Sequence, residues 1–309
     1  MRRAVIDVGS NSVLTLIEER TEGAWVPLYE SSAVTALGTG VKQTGLLAAK
    51  PMEDTLSALN AAFDVCKKLE TSAIKARVTM AGRISTNVKD FLGRATEQGT
   101  PVEVLSGDDE AHLGFLSVAN DPRFAKHQRV SIVDVGGHST EVVTATRSDG
   151  STSDWTVLYQ RSFPIGTLGL RGSIMSSERA GMKEQLSACQ AIDDVIGLCY
   201  LPNMSGCVVA LGASATNLVT VRDRITTWDP EKVHGAFLDY EEVSKAAGWM
   251  CDMTDIMRSH IVGLEVGREQ TIHIGALILE RFLFTLRTLG CFASVRGWRH
   301  ALLESDELW

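Results

Sequence analysis

Two short stretches of the chain share one pattern of apolar and polar positions. Ala4-Val5-Ile6 and Ser131-Ile132-Val133 are largely β-branched runs that lead into an aspartate, Asp7 and Asp134, and then into a tight Gly/Ser loop. A second apolar run follows each loop, Val13-Leu14-Thr15-Leu16-Ile17 and Val142-Val143-Thr144. Runs of this length bounded by turn residues read as strands, so each stretch predicts a β-hairpin. The aspartates lie 127 residues apart, which is one domain length, and the repeat predicts two similar domains.

Gly38-Thr39-Gly40 and Gly45 mark loops after the first hairpin. Pro51 then opens a helix in which Met52, Leu56, Leu59, Phe63, Cys66 and Leu69 recur at helical spacing. The pattern predicts strands over 74–80 and 101–105, with a helix over 88–95 between them. Ser106 caps a further helix through Leu113, Phe115, Leu116 and Val118, with Asp109 three residues on as an approximate capping box. The second half continues with a strand from Trp155 to Phe163, a loop at Pro164-Ile165-Gly166 and a helix from Glu178 to Tyr200. Strand 207–211 leads into a third loop, Gly212-Ala213-Ser214-Ala215-Thr216, and helices are predicted over 240–253 and 270–289. Strands alternating with helices place the chain in the α/β class.

Composition narrows the setting. With 309 residues, 44% hydrophobic and 22% charged, the chain reads as a globular protein of two domains. A formal net charge of −8 argues against nucleic acid or an anionic membrane as its main partner. Met1-Arg2-Arg3 leads straight into a strand-like run, and no apolar run reaches transmembrane length, so neither a leader nor a membrane span is expected. The six cysteines are scattered without a C-x-x-C pair. They read as reduced thiols of a cytoplasmic protein rather than as a disulfide framework or a zinc site.

The loops carry the candidate chemistry. Gly9-Ser10-Asn11-Ser12 and Gly136-Gly137-His138-Ser139-Thr140 offer backbone N–H groups and hydroxyls, which suit phosphate. The aspartate before each loop suits Mg²⁺, directly or through water. A plain hairpin turn favours the same residues, and it is the duplication with matching flanks that favours phosphate. The third loop fits a nucleotide, a further phosphate or a simple strand–turn–helix connection. Neither a Walker A sequence nor G-x-G-x-x-G occurs.

The motifs together resemble the exopolyphosphatase/guanosine pentaphosphate phosphohydrolase (Ppx/GppA) family. Ile6-Asp7-Val8-Gly9-Ser10-Asn11-Ser12 is similar to its I-D-[LIV]-G-S-N-S, and Leu105-Ser106-Gly107-Asp108-Asp109-Glu110-Ala111 to its I-S-G-x-E-E-A. Val133 to Glu141 resembles I-D-I-G-G-G-S-T-E, while Thr79, Arg83 and Asn87 match T-x-x-x-R-x-x-x-N. Gly212-Ala213-Ser214, Gly275 to Leu279 and Arg296-Gly297-Trp298-Arg299 (family R-G-L-R) extend the likeness nearly end to end.

The resemblance implies two ribonuclease-H-like domains of the actin-like ATPase superfamily with a cleft between them. Residues 1–122 with 291–309 would form the first domain, and 123–290 the second. It implies Mg²⁺-dependent hydrolysis of phosphoanhydride bonds, with Glu110 as the general base and Arg83 on the terminal phosphoryl group. Asp7 and Asp134 would hold the metal, with Glu141 either metal-linked or structural. Ser10, Asn11, Ser12, Gly136, Gly137, His138, Ser139, Thr140, Gly212 and Ser214 would line the phosphate sites.

The sequence departs from the family pattern at His138 (central Gly of the second loop), Asp109 (Glu) and Val295 (Asp). The implied substrate is inorganic polyphosphate, and short chains suit a sequence with 30 Lys/Arg against 38 Asp/Glu and no basic track. Guanosine pentaphosphate hydrolysis and a non-catalytic phosphate or alarmone sensor are the alternatives. A small-molecule kinase of the same superfamily ranks last, for want of an acceptor motif. A homodimer is the candidate assembly.

Overall fold

Strands β1 (Arg2–Val8) and β2 (Ser12–Thr21) form the first predicted hairpin, and β6 (Arg129–Val135) and β7 (Thr140–Arg147) form the second. The computed structural model that shows them describes residues 1–148, 154–197 and 206–309. The chain divides into two units, Met1–Leu113 with Trp298–Trp309, and Gly114–Gly297. The first division falls within the helix Gly107–Ala119.

In the first unit, β3 (Ala24–Val34), β4 (Ala73–Val78) and β5 (Glu103–Val104) complete a sheet of order β3-β2-β1-β4-β5. The β1, β2 and β3 pairs are antiparallel, whereas β4 and β5 run parallel to β1. The second unit adds β8 (Trp155–Phe163), β9 (Cys207–Leu211), β10 (Phe237–Asp239) and β11 (Gly290–Ala293), in the order β10-β11-β9-β6-β7-β8.

Set β10 aside, and β8-β7-β6-β9-β11 repeats the first sheet's order and strand directions. The duplication reaches down to single residues. A β-bulge interrupts β2/β3 between Ile17 and Glu18, and β7/β8 between Thr144 and Ala145, again 127 residues on. Bulges re-aim a strand and sharpen its twist, so both halves bend their hairpin at the same place.

Each sheet builds a core from its apolar central strand. Ala4, Ile6 and Val8 of β1 pack with Met52, Leu56, Leu59 and Cys66 of the helix Ala49–Lys68, whose first turn holds Pro51. In the second unit Val133 and Val135 of β6 join residues of the helices Met182–Ile196, Tyr240–Cys251 and Ile272–Thr285. The helix Ile272–Thr285 is apolar almost all round and mostly buried, as a helix at the centre of a core must be.

Several elements differ from the sequence expectation. The third loop is a helix, Gly212–Arg222, that starts directly at the end of β9. Its residues from Ser214 to Thr220 are buried, and no Pro or turn-forming pair interrupts it. Strand β4 stops at Val78, and a short helix, Met80–Ile84, follows. The strand predicted over 101–105 shrinks to β5. The helix predicted over 178–200 runs from Met182 to Ile196 and is capped by Gly197 with φ of +69°; residues 198–200, Cys199 among them, lie outside the described residues. Cys66, Cys207, Cys251 and Cys291 are buried and Cys189 is half-buried, all as free thiols. Strand β11 pairs within the second sheet, and the chain rejoins the first unit at Trp298. Among the described residues no helix is long and apolar enough to cross a membrane.

Candidate active site

Asp7 stands one residue from the carboxyl end of β1, between antiparallel β2 and parallel β4. Ligands of α/β sheets bind outside the carboxyl ends of such strands. The turn that follows is closed by Gly9 N–H donating to Ser12 O at 2.9 Å, and the second copy by Gly136 N–H donating to Ser139 O at 2.9 Å. The first loop is pinned further: Ser10 O accepts from Gly38 N–H at 2.8 Å, and Asn11 O from Thr35 and Ala36 N–H at 3.0 and 2.9 Å.

With the backbone so committed, the side chains stand out. Asp7 Oδ1, Asn11 Nδ2 and Ser12 Oγ are buried and have no hydrogen-bond partner among the described residues. Native proteins rarely leave buried polar atoms unpaired, and exceptions mark places that an ion, a water or a ligand completes. A carboxylate oxygen, a hydroxyl and an amide donor fit Mg²⁺ and phosphate oxygens by their chemistry. The other Asp7 oxygen, Oδ2, accepts a hydrogen bond from Trp298 Nε1 at 3.1 Å. Burial pushes the Asp7 carboxyl up to about 6, against the pull of Arg299, the Trp298 hydrogen bond and Arg83.

Arg83 belongs to the helix Met80–Ile84, which Thr79 N–H ties to Val8 O at 3.1 Å. Its Nη1 donates to Leu105 O at 2.8 Å and forms an ion pair with Glu110 Oε2 at 2.7 Å. Glu110 lies in the first turn of the helix Gly107–Ala119. Ser106 Oγ accepts from Asp109 N–H at 3.1 Å and donates to Asp109 Oδ2 at 2.6 Å, which is the predicted cap. First-turn acids are commonly solvated, but the Glu110 side chain is only 14% exposed and faces Arg83.

In the second unit Asp134 sits opposite Glu141 of β7 and Leu211 of β9. Gly212 follows with φ of +80°, a conformation that favours glycine, and a Cβ there would come within 3.0 Å of Asp134 Oδ1. The helix it opens has no side-chain cap, so backbone N–H groups stand beside Asp134 where anions bind helix starts. Ser214 is in that first turn and buried. Thr167 N–H donates to Gly136 O at 3.0 Å and Leu168 N–H to Gly137 O at 2.7 Å. Gly166 lies so close to this loop that a Cβ would fall 2.5 Å from Gly137 C and from His138 N. The Thr140 hydroxyl donates to Ile165 O at 2.8 Å, and Glu141 Oε1 accepts from Ser162 Oγ at 2.7 Å, so both turn inward.

The first unit therefore gathers Asp7, Ser10, Asn11, Ser12, Arg83 and Glu110, and the second gathers Asp134, residues 136–141, Gly212 and Ser214. Among the described residues no three His, Cys, Asp or Glu side chains cluster as a metal site. Mg²⁺ keeps several waters and needs only one or two carboxylates.

A family model described as the Ppx/GppA phosphatase family matches residues 16–308. The chain belongs to this family. Membership makes it an enzyme, a hydrolase of phosphoanhydride bonds, and bears out the expected pair of actin-like ATPase-superfamily domains. The exopolyphosphatase 2 of Mycobacterium tuberculosis is 25% identical over 321 residues, covering 99% of this chain and 98% of that protein. The crystal structure of an Aquifex aeolicus Ppx/GppA family member is 28% identical with a TM-score of 0.79, over 100% of this chain and 98% of that one. An exopolyphosphatase from Cytophaga hutchinsonii, 19% identical with a TM-score of 0.84 over 98% and 96% of the two chains, shares the fold.

The three departures from the Ppx/GppA pattern have distinct settings. His138 is only 1% exposed, so its ring packs into the unit instead of projecting into solvent. Asp109 makes the helix cap with Ser106. Val295 packs on the second core. Pattern reading missed two residues near Asp7, Trp298 and Arg299. Their sequence signal is the R-G-L-R match itself, in which Arg299 is the second arginine and Trp298 replaces leucine.

Proposed function

We propose that the enzyme releases terminal phosphate from inorganic polyphosphate, with Mg²⁺ and a water activated by Glu110. The observation that carries this reading is the buried, unpartnered set Asp7 Oδ1, Asn11 Nδ2 and Ser12 Oγ in the first loop. The name of the mycobacterial relative supports polyphosphate as the substrate. A net charge of −8 supports short chains over long ones, which need an extended basic surface.

Asp7 is the carboxylate of the first unit that would hold Mg²⁺, and Asp134 stands at the equivalent strand end of the second unit. A bound ion would supply positive charge to offset the negative charge on the phosphate oxygens. Asn11, Ser12 and the backbone of the first loop orient the substrate. Arg83, whose Nη1 serves Leu105 O and Glu110 and whose Nη2 lies 3.7 Å from Met80 Sδ, supplies the positive charge for the terminal phosphoryl group. Glu110, held in place by the same guanidinium, takes a proton from water as the water oxygen bonds to phosphorus. The bridging P–O bond breaks, the electron pair stays with the shortened polyphosphate, and orthophosphate leaves. The chemistry needs positioning and charge rather than a covalent nucleophile. The Ser162 hydrogen bond favours the structural role for Glu141.

The test is phosphate release from short polyphosphate, long polyphosphate and guanosine pentaphosphate, each with and without Mg²⁺. Fastest release from short polyphosphate, lost on chelation, is expected. Preference for guanosine pentaphosphate would replace the substrate. Binding without turnover from any of the three, unaltered by Glu110→Gln, would mean a sensor.

A further inference from the structure

The indole of Trp298 divides the two oxygens of Asp7 between unequal tasks. Its Nε1–H, a donor and never an acceptor, is held by Oδ2 at 3.1 Å. Oδ1 has no hydrogen-bond partner among the described residues. The indole itself is fixed: Trp298 is 4% exposed and begins the helix Trp298–Glu304, whose Ala301, Leu302 and Leu303 are buried. That helix is tied back to β1, the strand of Asp7, by Arg3 Nη1 donating to Leu303 O at 3.1 Å. Carboxylate and indole thus sit on elements locked to each other, and Oδ2 cannot be released by a local side-chain motion.

A carboxylate oxygen that already accepts a fixed hydrogen bond is the poorer ligand of the two, so ligation through the other oxygen is favoured. Ca²⁺ takes six to eight oxygens and accepts carboxylates bidentately, whereas Mg²⁺ demands a small octahedron in which each carboxylate gives one oxygen. We propose that Trp298 is a positioning residue that makes Asp7 a one-oxygen ligand and thereby selects Mg²⁺ over Ca²⁺. This rests on the Mg²⁺ reading of the site. The leucine of the R-G-L-R pattern has no donor to offer, so the device belongs to this sequence.

The experiment is calorimetric titration of the full chain with Mg²⁺ alone and with Ca²⁺ alone, for the unsubstituted protein, Trp298→Phe and Trp298→Leu. Phe removes the N–H and keeps an aromatic body. Leu is the residue of the family pattern, and it serves if the Phe variant does not fold. The ratio of Ca²⁺ to Mg²⁺ affinity should rise about tenfold when the hydrogen bond is removed. A merely structural tryptophan would lower stability and leave that ratio alone. An unchanged ratio in a variant that still binds Mg²⁺ overturns the role of Trp298 and leaves the Mg²⁺ reading intact. Failure of the unsubstituted chain to bind Mg²⁺ overturns the Mg²⁺ reading itself, and the selectivity with it.

Discussion

Arg83 Nη1 and Glu110 Oε2 stand 2.7 Å apart, with side chains only 16% and 14% exposed. In the proposed reaction a single guanidinium thus serves both the terminal phosphoryl group and the carboxylate that takes the proton. Glu110→Gln keeps the shape of the side chain and removes its capacity to accept that proton. Phosphate release should fall by about 10²- to 10⁴-fold, while calorimetric affinity for a short polyphosphate stays within about twofold. A near-normal rate in this variant would dismiss Glu110 as the base.

Gly166→Ala tests the second loop without touching a polar side chain. The new methyl would lie 2.5 Å from Gly137 C and His138 N, which are backbone atoms with no soft way to yield. The loop should shift, at a cost of about 1–3 kcal/mol in a denaturant titration, and the KM for polyphosphate should rise. Unchanged KM would separate this loop from substrate binding.

His138→Gly asks what the histidine contributes. Since the ring is 1% exposed, its removal should leave a void and lower stability by about 2 kcal/mol or more, with no gain in rate. A large rate gain instead would mean that the ring restrains the site.

His273 sets a pH limit on the second unit. It is fully buried, with neither ring nitrogen hydrogen-bonded among the described residues. Burial first, then Arg258 and Arg171, lower its pKa from 6.5 to about 3. The unfolded chain therefore takes up a proton near 6.5 that the folded chain refuses until about 3. Stability from this group is complete above 6.5 and declines as pH falls toward 3, with a slope of at most about 1.4 kcal/mol per pH unit. Denaturant midpoints measured from pH 7 to pH 4 should fall less steeply in His273→Phe than in the unsubstituted chain.

Much of this architecture was legible because its central strands are β-branched runs ended by glycine and serine, and because the run recurs. The residues around β3 gave no such signal: no residue of the strand is fully buried, so neither alternation nor an apolar run betrays it. The helix Gly212–Arg222 was hidden by its own glycine, alanine and serine residues, which also compose loops. Glu110 is the reverse case. Its neighbours Asp108 and Asp109 read as a solvated first turn, and only the fold shows Arg83 coming from the end of β4 to meet it. Trp298 could not be joined to Asp7 by any linear pattern, because the pairing spans nearly the whole chain.

That span has a consequence for synthesis. The second unit is one continuous stretch, Gly114–Gly297, and can close as soon as it leaves the ribosome. The first unit needs both Met1–Leu113 and Trp298–Trp309. That unit is begun first and completed last, and Asp7 waits for its indole until the other unit has been made.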